Sequence, residues 1–305
     1  MQWAILVGSA SAIPNAVLAI SQRLDWFNPF EFPDWLPHRM RVTAFIGNPN
    51  DVGASLAVCF IPVAVAALHR RKPAYIAIAA LVLCGVLASD AATAMLAVSF
   101  GLAVVALTAW RRVSLPVIAA IVVIGAATVF LFPPLRDRGK ALIASARARD
   151  YDALTSHRIV PFLVALKIFE DHPVMGAGPG TFKWLYLPYR LQVEADHPSF
   201  YLKTTENVGA VHSDHLQILA EEGLIGYAAL WIAVATIGSR WWVLRKANGE
   251  QDERVRFVHH AALPLAICFL MLAATGFPLE LAAVTTPLLF FVACLSRWSN
   301  DAKAS

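Results

Sequence analysis

Charge is what this chain has least of. Among its 305 residues, 25 are Lys or Arg and 21 are Asp or Glu, 15% in all, where soluble domains carry about 25%. That scarcity, with 58% hydrophobic residues and a mean hydropathy of +0.59, excludes disorder and argues against an ordinary soluble enzyme. The formal net charge is only +4, and no Lys/Arg block is long enough for a nucleic-acid partner. Cysteine is scarce too. Cys59, Cys84, Cys268 and Cys294 each lie in an apolar stretch. No two stand at metal-ligand spacing, so they read as small buried hydrophobes. Internal repeats and low-complexity tracts are lacking. No basic residue precedes the first apolar run, which disfavours a cleaved signal peptide in spite of Ser9-Ala10-Ser11-Ala12.

Long apolar runs are present instead. A helix needs about 17–25 apolar residues to cross a bilayer, and eight runs qualify as candidates. They are Trp3–Ile20, Ala44–Leu68, two from Ala74–Trp110 split into a hairpin at Ser89-Asp90, Leu115–Phe132, Leu216–Gly238, Val258–Thr275 and Leu281–Leu295. The basic clusters His69-Arg70-Arg71-Lys72, Arg111-Arg112, Arg240 to Arg256, and Arg297 with Lys303 all fall on one side if the runs alternate. The positive-inside rule makes that side cytoplasmic. The expected fold is an all-α, polytopic helical membrane protein with about eight transmembrane spans and one large periplasmic loop. Residues 1–132 carry spans one to five, 133–213 the loop, and 214–305 spans six to eight.

The loop holds the residues that can do chemistry. Arg136, Arg138, Lys140, Arg147 and Arg149 follow Pro133-Pro134 and offer cations to a membrane-borne anion. A solvated face or lipid headgroup contact explains them equally well. Arg158 opens an amphipathic stretch to Phe169, with Ser156 as its cap and His172-Pro173 as its stop. Phe162, Ala165 and Phe169 project from the same side as Arg158, which implies an anionic partner, either a carboxylate or a ligand. Gly176, Gly178 and Gly180 alternate, as in a backbone nest for phosphate or in a plain tight turn. His212 and His215, at i and i+3, share a helix face at the outer membrane surface; no further ligand at metal spacing accompanies them. An imidazole there suits a general base. Glu221-Glu222 inside an apolar run calls for a water-filled cavity or a partner arginine.

These segments together resemble the O-antigen ligase/O-antigen polymerase superfamily of bacterial membrane glycosyltransferases. The most specific match is His212-Ser213, nine residues, then Gly223-x-x-Gly226. Gly47-Asn48-Pro49-Asn50, Gln22, and Arg158 upstream of His172-Pro173-Val174-Met175-Gly176-Ala177-Gly178-Pro179-Gly180-Thr181-Phe182 are similar to further family segments. Two features depart from the pattern. The chain has fewer spans than most members, which implies a shortened or minimal N-terminal part. It also has Ser89-Asp90 where the family often has Ser-Arg, so a cationic contribution is expected to be missing there.

The resemblance implies a multi-pass protein of the bacterial inner membrane whose active site faces the periplasm. It implies transfer of a glycan from an undecaprenyl-diphosphate carrier to an acceptor hydroxyl, with no cofactor and no metal. The acceptor is lipid A core in ligation, or another carrier-linked repeat in polymerisation of O-antigen or exopolysaccharide. His212 is then the expected base and Arg158 the expected cation on the leaving diphosphate. Arg136, Arg190, Gly176, Gly178, Gly180 and His215 are candidate substrate contacts. A lipid-linked glycan transporter is the reading from a different class, but transporters show matching halves, and no internal symmetry is present. Reporter fusions test the topology: cytoplasmic signals after Lys72, after Arg112 and at Ser305, and a periplasmic signal at Gly180. A cytoplasmic signal at Gly180 overturns it.

Overall fold

The computed structural model describes residues 7–108, 133–154, 158–197, 208–246 and 253–304. All regular structure among them is helical. The helices are α1 (Ala12–Arg23), α2 (Pro49–Arg70), α3 (Pro73–Ala88), α4 (Ala92–Thr108), α5 (Pro133–Ala148), α6 (Tyr151–Leu154), α7 (Ile159–Asp171), α8 (Phe182–Asp196), α9 (Asp214–Lys246), α10 (Glu253–Thr275) and α11 (Ala282–Ala304). The expected run Leu115–Phe132, the pair Arg111-Arg112 and the cap Ser156 lie outside the described residues. The chain divides into two compact units. One comprises Met1–Ser114, Ala235–Leu272 and Pro278–Ser305, the other Leu115–Val234 and Ala273–Phe277.

In the first unit α2 is the hub. Asn48 caps it, its side chain accepting from Asn50 N at 2.8 Å. Pro49 occupies the first turn, where its missing N–H costs nothing. Val52, Leu56, Val58, Cys59 and Ile61 are buried along it, and α1, α3, α4 and α11 pack around it. Small residues set the approach of these helices. A Cβ on Gly53 would lie 2.6 Å from Ala91 Cβ, and one on Gly85 2.8 Å from Ala16 Cα. Such close packing is how apolar helices associate where lipid competes for every apolar surface. Gln22 is buried at the end of α1. Its Oε1 accepts from Ala44 N at 2.8 Å and its Nε2 donates to Asn28 Oδ1 at 3.0 Å, which ties down the following loop.

The hairpin at Ser89-Asp90 forms where the sequence predicts it, between α3 and α4. An arginine from elsewhere in the chain reaches this turn. Arg39 Nε donates to the Asp90 carbonyl at 3.2 Å, and its Nη2 donates to Asn50 Oδ1 at 2.6 Å.

Two stretches among the described residues are long and apolar enough to cross a membrane: Pro49–Arg70, with a mean hydropathy of 2.1, and Asp214–Ser239, with 1.6. The helices Pro73–Ala88 and Ala92–Leu107, and the stretches His260–Thr275 and Ala282–Cys294, are apolar but shorter. The count of eight spans is therefore not reproduced. Helix α3 has 16 residues, and the described part of α4 has 17. The first run is interrupted by turns at 9–11, between helical Val7-Gly8 and the helix that starts at Ala12. The run that starts at Leu216 qualifies by length and composition, although its helix is broken at Gly223.

Candidate active site

The second unit is built on the α7–α8 hairpin. Val160, Val164, Ala165 and Ile168 of α7 pack against Phe182, Tyr186 and Val193 of α8, with Val211 and Ala220 closing the core. Tyr189 Oη donates to Asp171 Oδ2 at 2.8 Å. Arg190, a candidate substrate contact from the sequence, is buried, and its Nε donates to Glu194 Oε1 at 2.7 Å. That carboxylate pairs with the guanidinium from within the same helix, in the interior of the hairpin. Arg136 is carried by α5, and its side chain falls outside the described set.

The decisive local feature is the break in α9. Gly223 has φ 64° and ψ −162°, a region essentially restricted to glycine. In a straight helix Leu224 N would bond Ala220 O, and Ile225 N would bond Glu221 O. Here the glycine-rich segment takes both places. Ala177 N donates to Ala220 O at 2.9 Å and Gly178 N to Glu221 O at 2.8 Å, while Leu224 N donates to Pro173 O at 2.9 Å and Ile225 N to Val174 O at 3.2 Å. Two lost helical bonds become four bonds to the loop.

The approach is backbone against backbone. A Cβ on Gly223 would stand 2.5 Å from Gly176 N and Val174 O, and one on Gly176 would overlap the Glu221 carbonyl. The second glycine of the pair, Gly226, leaves room for the Glu222 side chain one turn earlier. Both therefore serve the chain's own segment. Gly176, Gly178 and Gly180 all have positive φ, and an anion nest does form, but it holds an internal anion. Glu221 Oε2 accepts from Gly180 N at 2.9 Å and Oε1 from Phe182 N at 2.9 Å. This carboxylate caps the first turn of α8, a favourable place for negative charge. The partner expected for Glu221 is thus main chain rather than arginine or water.

The break also brings His215 against the second half of α9. His215 stacks on Trp231, with ring centroids 6.1 Å apart and planes 13° apart, and meets the edge of Tyr227 at 6.0 Å. Sixteen residues of straight helix would separate His215 from Trp231 by about 24 Å, so the halves of α9 fold toward each other. His212 stands before the helix, with φ 61°. It shares no helix face with His215, contrary to the i, i+3 expectation.

His212 is held by contacts that the linear motif does not announce. Val211 N donates to Gln217 Oε1 at 3.1 Å, Asp214 N donates to Gly276 O at 3.0 Å, and the His212 ring lies 5.2 Å from that of Phe277. Arg158 reaches the same short segment, its Nη1 donating to Thr275 O at 2.6 Å. It flanks the start of α7 without capping it. Burial, and then the Arg158 guanidinium, push the His212 imidazole down from 6.5 to about 4. The ring is therefore neutral at pH 7, with one nitrogen free to accept a proton, and is less basic than the sequence implied.

A family model described as O-antigen ligase matches residues 76–232, just over half of the chain. The chain belongs to the O-antigen ligase family. No curated protein matches it. Membership makes it a membrane glycosyltransferase of the O-antigen ligase or polymerase type, acting on lipid-linked glycans. The family match spans Arg158, the glycine segment, His212 and Gly223. Three parts of this site were missed from sequence: Gln217, the cap by Glu221, and residues 275–277. Only the last lie beyond the matched segment, and no sequence signal links them to it.

The joint has a measurable contribution. Glu221→Ala leaves the buried Phe182 N–H without its carboxylate, at a cost of about 1–3 kcal/mol, while the N–H of the exposed Gly180 can turn to water. Thermal unfolding in detergent should show the loss, and limited proteolysis should open the chain near Gly180. Unchanged unfolding and cleavage would show that the nest contributes nothing.

Proposed function

We propose that this chain transfers a glycan from an undecaprenyl-diphosphate carrier to a hydroxyl of lipid A core, at the periplasmic face of the inner membrane. The observation that carries this is the convergence of His212 and Arg158 on Thr275–Phe277, with the imidazole kept neutral. The reaction breaks the anomeric C–O bond to the diphosphate and forms a new one to the acceptor oxygen. The acceptor's proton passes to His212, and Arg158 offsets charge building on the leaving diphosphate.

The two residues are coupled. A guanidinium beside an imidazole lowers its basicity, so His212 is a weak base in the empty site. A bound diphosphate brings negative charge to Arg158 and thereby raises the proton affinity of His212. The base strengthens when donor is present. Gly176, Gly178 and Gly180 are given an architectural role in this scheme, and His215 none in proton transfer.

Glycan analysis of a deletion strain tests the reaction. Bare lipid A core with accumulated carrier-linked polymer supports ligation. Core bearing one repeat with loss of chain length would instead assign polymerisation. In purified enzyme, His212→Ala should lose about 10²–10⁴-fold in rate, while His215→Gln keeps it. Because His212 is neutral above about pH 4, kcat/KM should stay flat from about pH 8 to about pH 5 and then fall as the imidazole is protonated. The limb in kcat should lie at higher pH. A kcat/KM limb near 6.5 would show an unperturbed imidazole and sink the coupling.

Arg158→Lys keeps the charge but loses the planar pair of donors. Turnover should drop by about 10²-fold. A wild-type rate in this variant would confine Arg158 to holding Thr275.

A further inference from the structure

We propose that the α7–α8 hairpin lies on the bilayer, with the outer face of α8 and the Val174-Met175 tip seated among the lipid headgroups. The proposal rests on the reading that the Gly223–Ser239 half of α9 crosses the membrane, and it goes beyond that reading in where it places the loop.

A helix at the surface of a water-soluble unit has one apolar stripe, turned to the core. Helix α8 has two. Phe182, Tyr186 and Val193 face α7. Trp184, Leu187 and Leu191, three and four residues apart, form a second face and are 74%, 55% and 60% exposed. Val174 and Met175 are 57% and 75% exposed. A patch of this kind marks an interaction surface.

The joint identifies the partner. Bonds from Leu224 N and Ile225 N to Pro173 O and Val174 O place the tip against the first turn of the apolar half of α9. Leu224, Ile225 and Ile232 of that half are themselves exposed. Its apolar surface thus continues onto the tip at its outer end, the headgroup level of a crossing helix. The bond from Phe182 N to Glu221 holds the first turn of α8 at that same end. Lys183 Nζ lies 5.2 Å from the centre of the Trp184 ring. A ring with an ammonium above it matches the membrane interface, where an indole sits at the headgroups and a lysine reaches lipid phosphate.

Site-directed spin labels decide this in the full chain reconstituted into phosphatidylethanolamine–phosphatidylglycerol vesicles. Cys84 and Cys294, the native thiols that are not buried, are first replaced by alanine. Single cysteines then go at Leu187, Leu191, Gln192 and Ile232. Labels at Leu187 and Leu191 should be relaxed more by oxygen than by a water-soluble nickel chelate, as at Ile232, and Gln192 should show the reverse. Nickel access at Leu187 with Ile232 in lipid overturns the proposal alone. Nickel access at Ile232 overturns the membrane reading and the proposal with it. Shielding of Leu187 from both reagents means that protein covers the face, a second copy for instance, and also overturns it.

Discussion

Backbone N–H and C=O groups that lose their helical partners must find others, and the break at Gly223 in α9 creates that demand in the middle of an apolar sequence. Segment 173–178 meets it with four bonds to residues 220–225. The exchange needs contact at backbone distance, which is why Gly176 and Gly223 face each other with no room for a Cβ on either. Unsatisfied peptide groups cost several kcal/mol in a medium without water, so joint and break exist only together.

The joint organises the chemistry around it. It fixes Glu221 under the N-terminus of α8, and so fixes the hairpin against the first half of α9. That half begins at Asp214, whose N–H is anchored on Gly276. His212, in a left-handed conformation just ahead of it, meets Phe277 while Arg158 holds Thr275. An imidazole and a guanidinium distant in sequence thereby share one small platform. There the Arg158 guanidinium adds to burial in disfavouring the protonated form of the imidazole.

The first unit answers to a different constraint. Its helices carry little polar surface and pack through Gly53, Gly85 and the alanines opposite them. Its few polar groups are spent on loop ends. Gln22 closes on Ala44, Asn48 caps α2, and Arg39 joins the first turn of α2 to the Asp90 turn.

Much of this was legible in the sequence, because composition and short-range pattern carry it. The helical class, the hairpin at Ser89-Asp90, the stop at His172-Pro173 and the family itself follow from apolar runs, turn residues and the spacing from His212 to Gly226. Those features are local, and local sequence encodes them directly. Three matters were settled only by tertiary structure. Gly223 interrupts an apolar run that reads as one span, since a glycine states a freedom and not the dihedral chosen. The glycine segment resembles a phosphate cradle, but the anion in it comes from Glu221, some forty residues on. The basicity of His212 depends on burial and on Arg158, joined through residues 275–277. Distances of this kind are decided by which surfaces meet when the chain packs, and no spacing along the sequence records them.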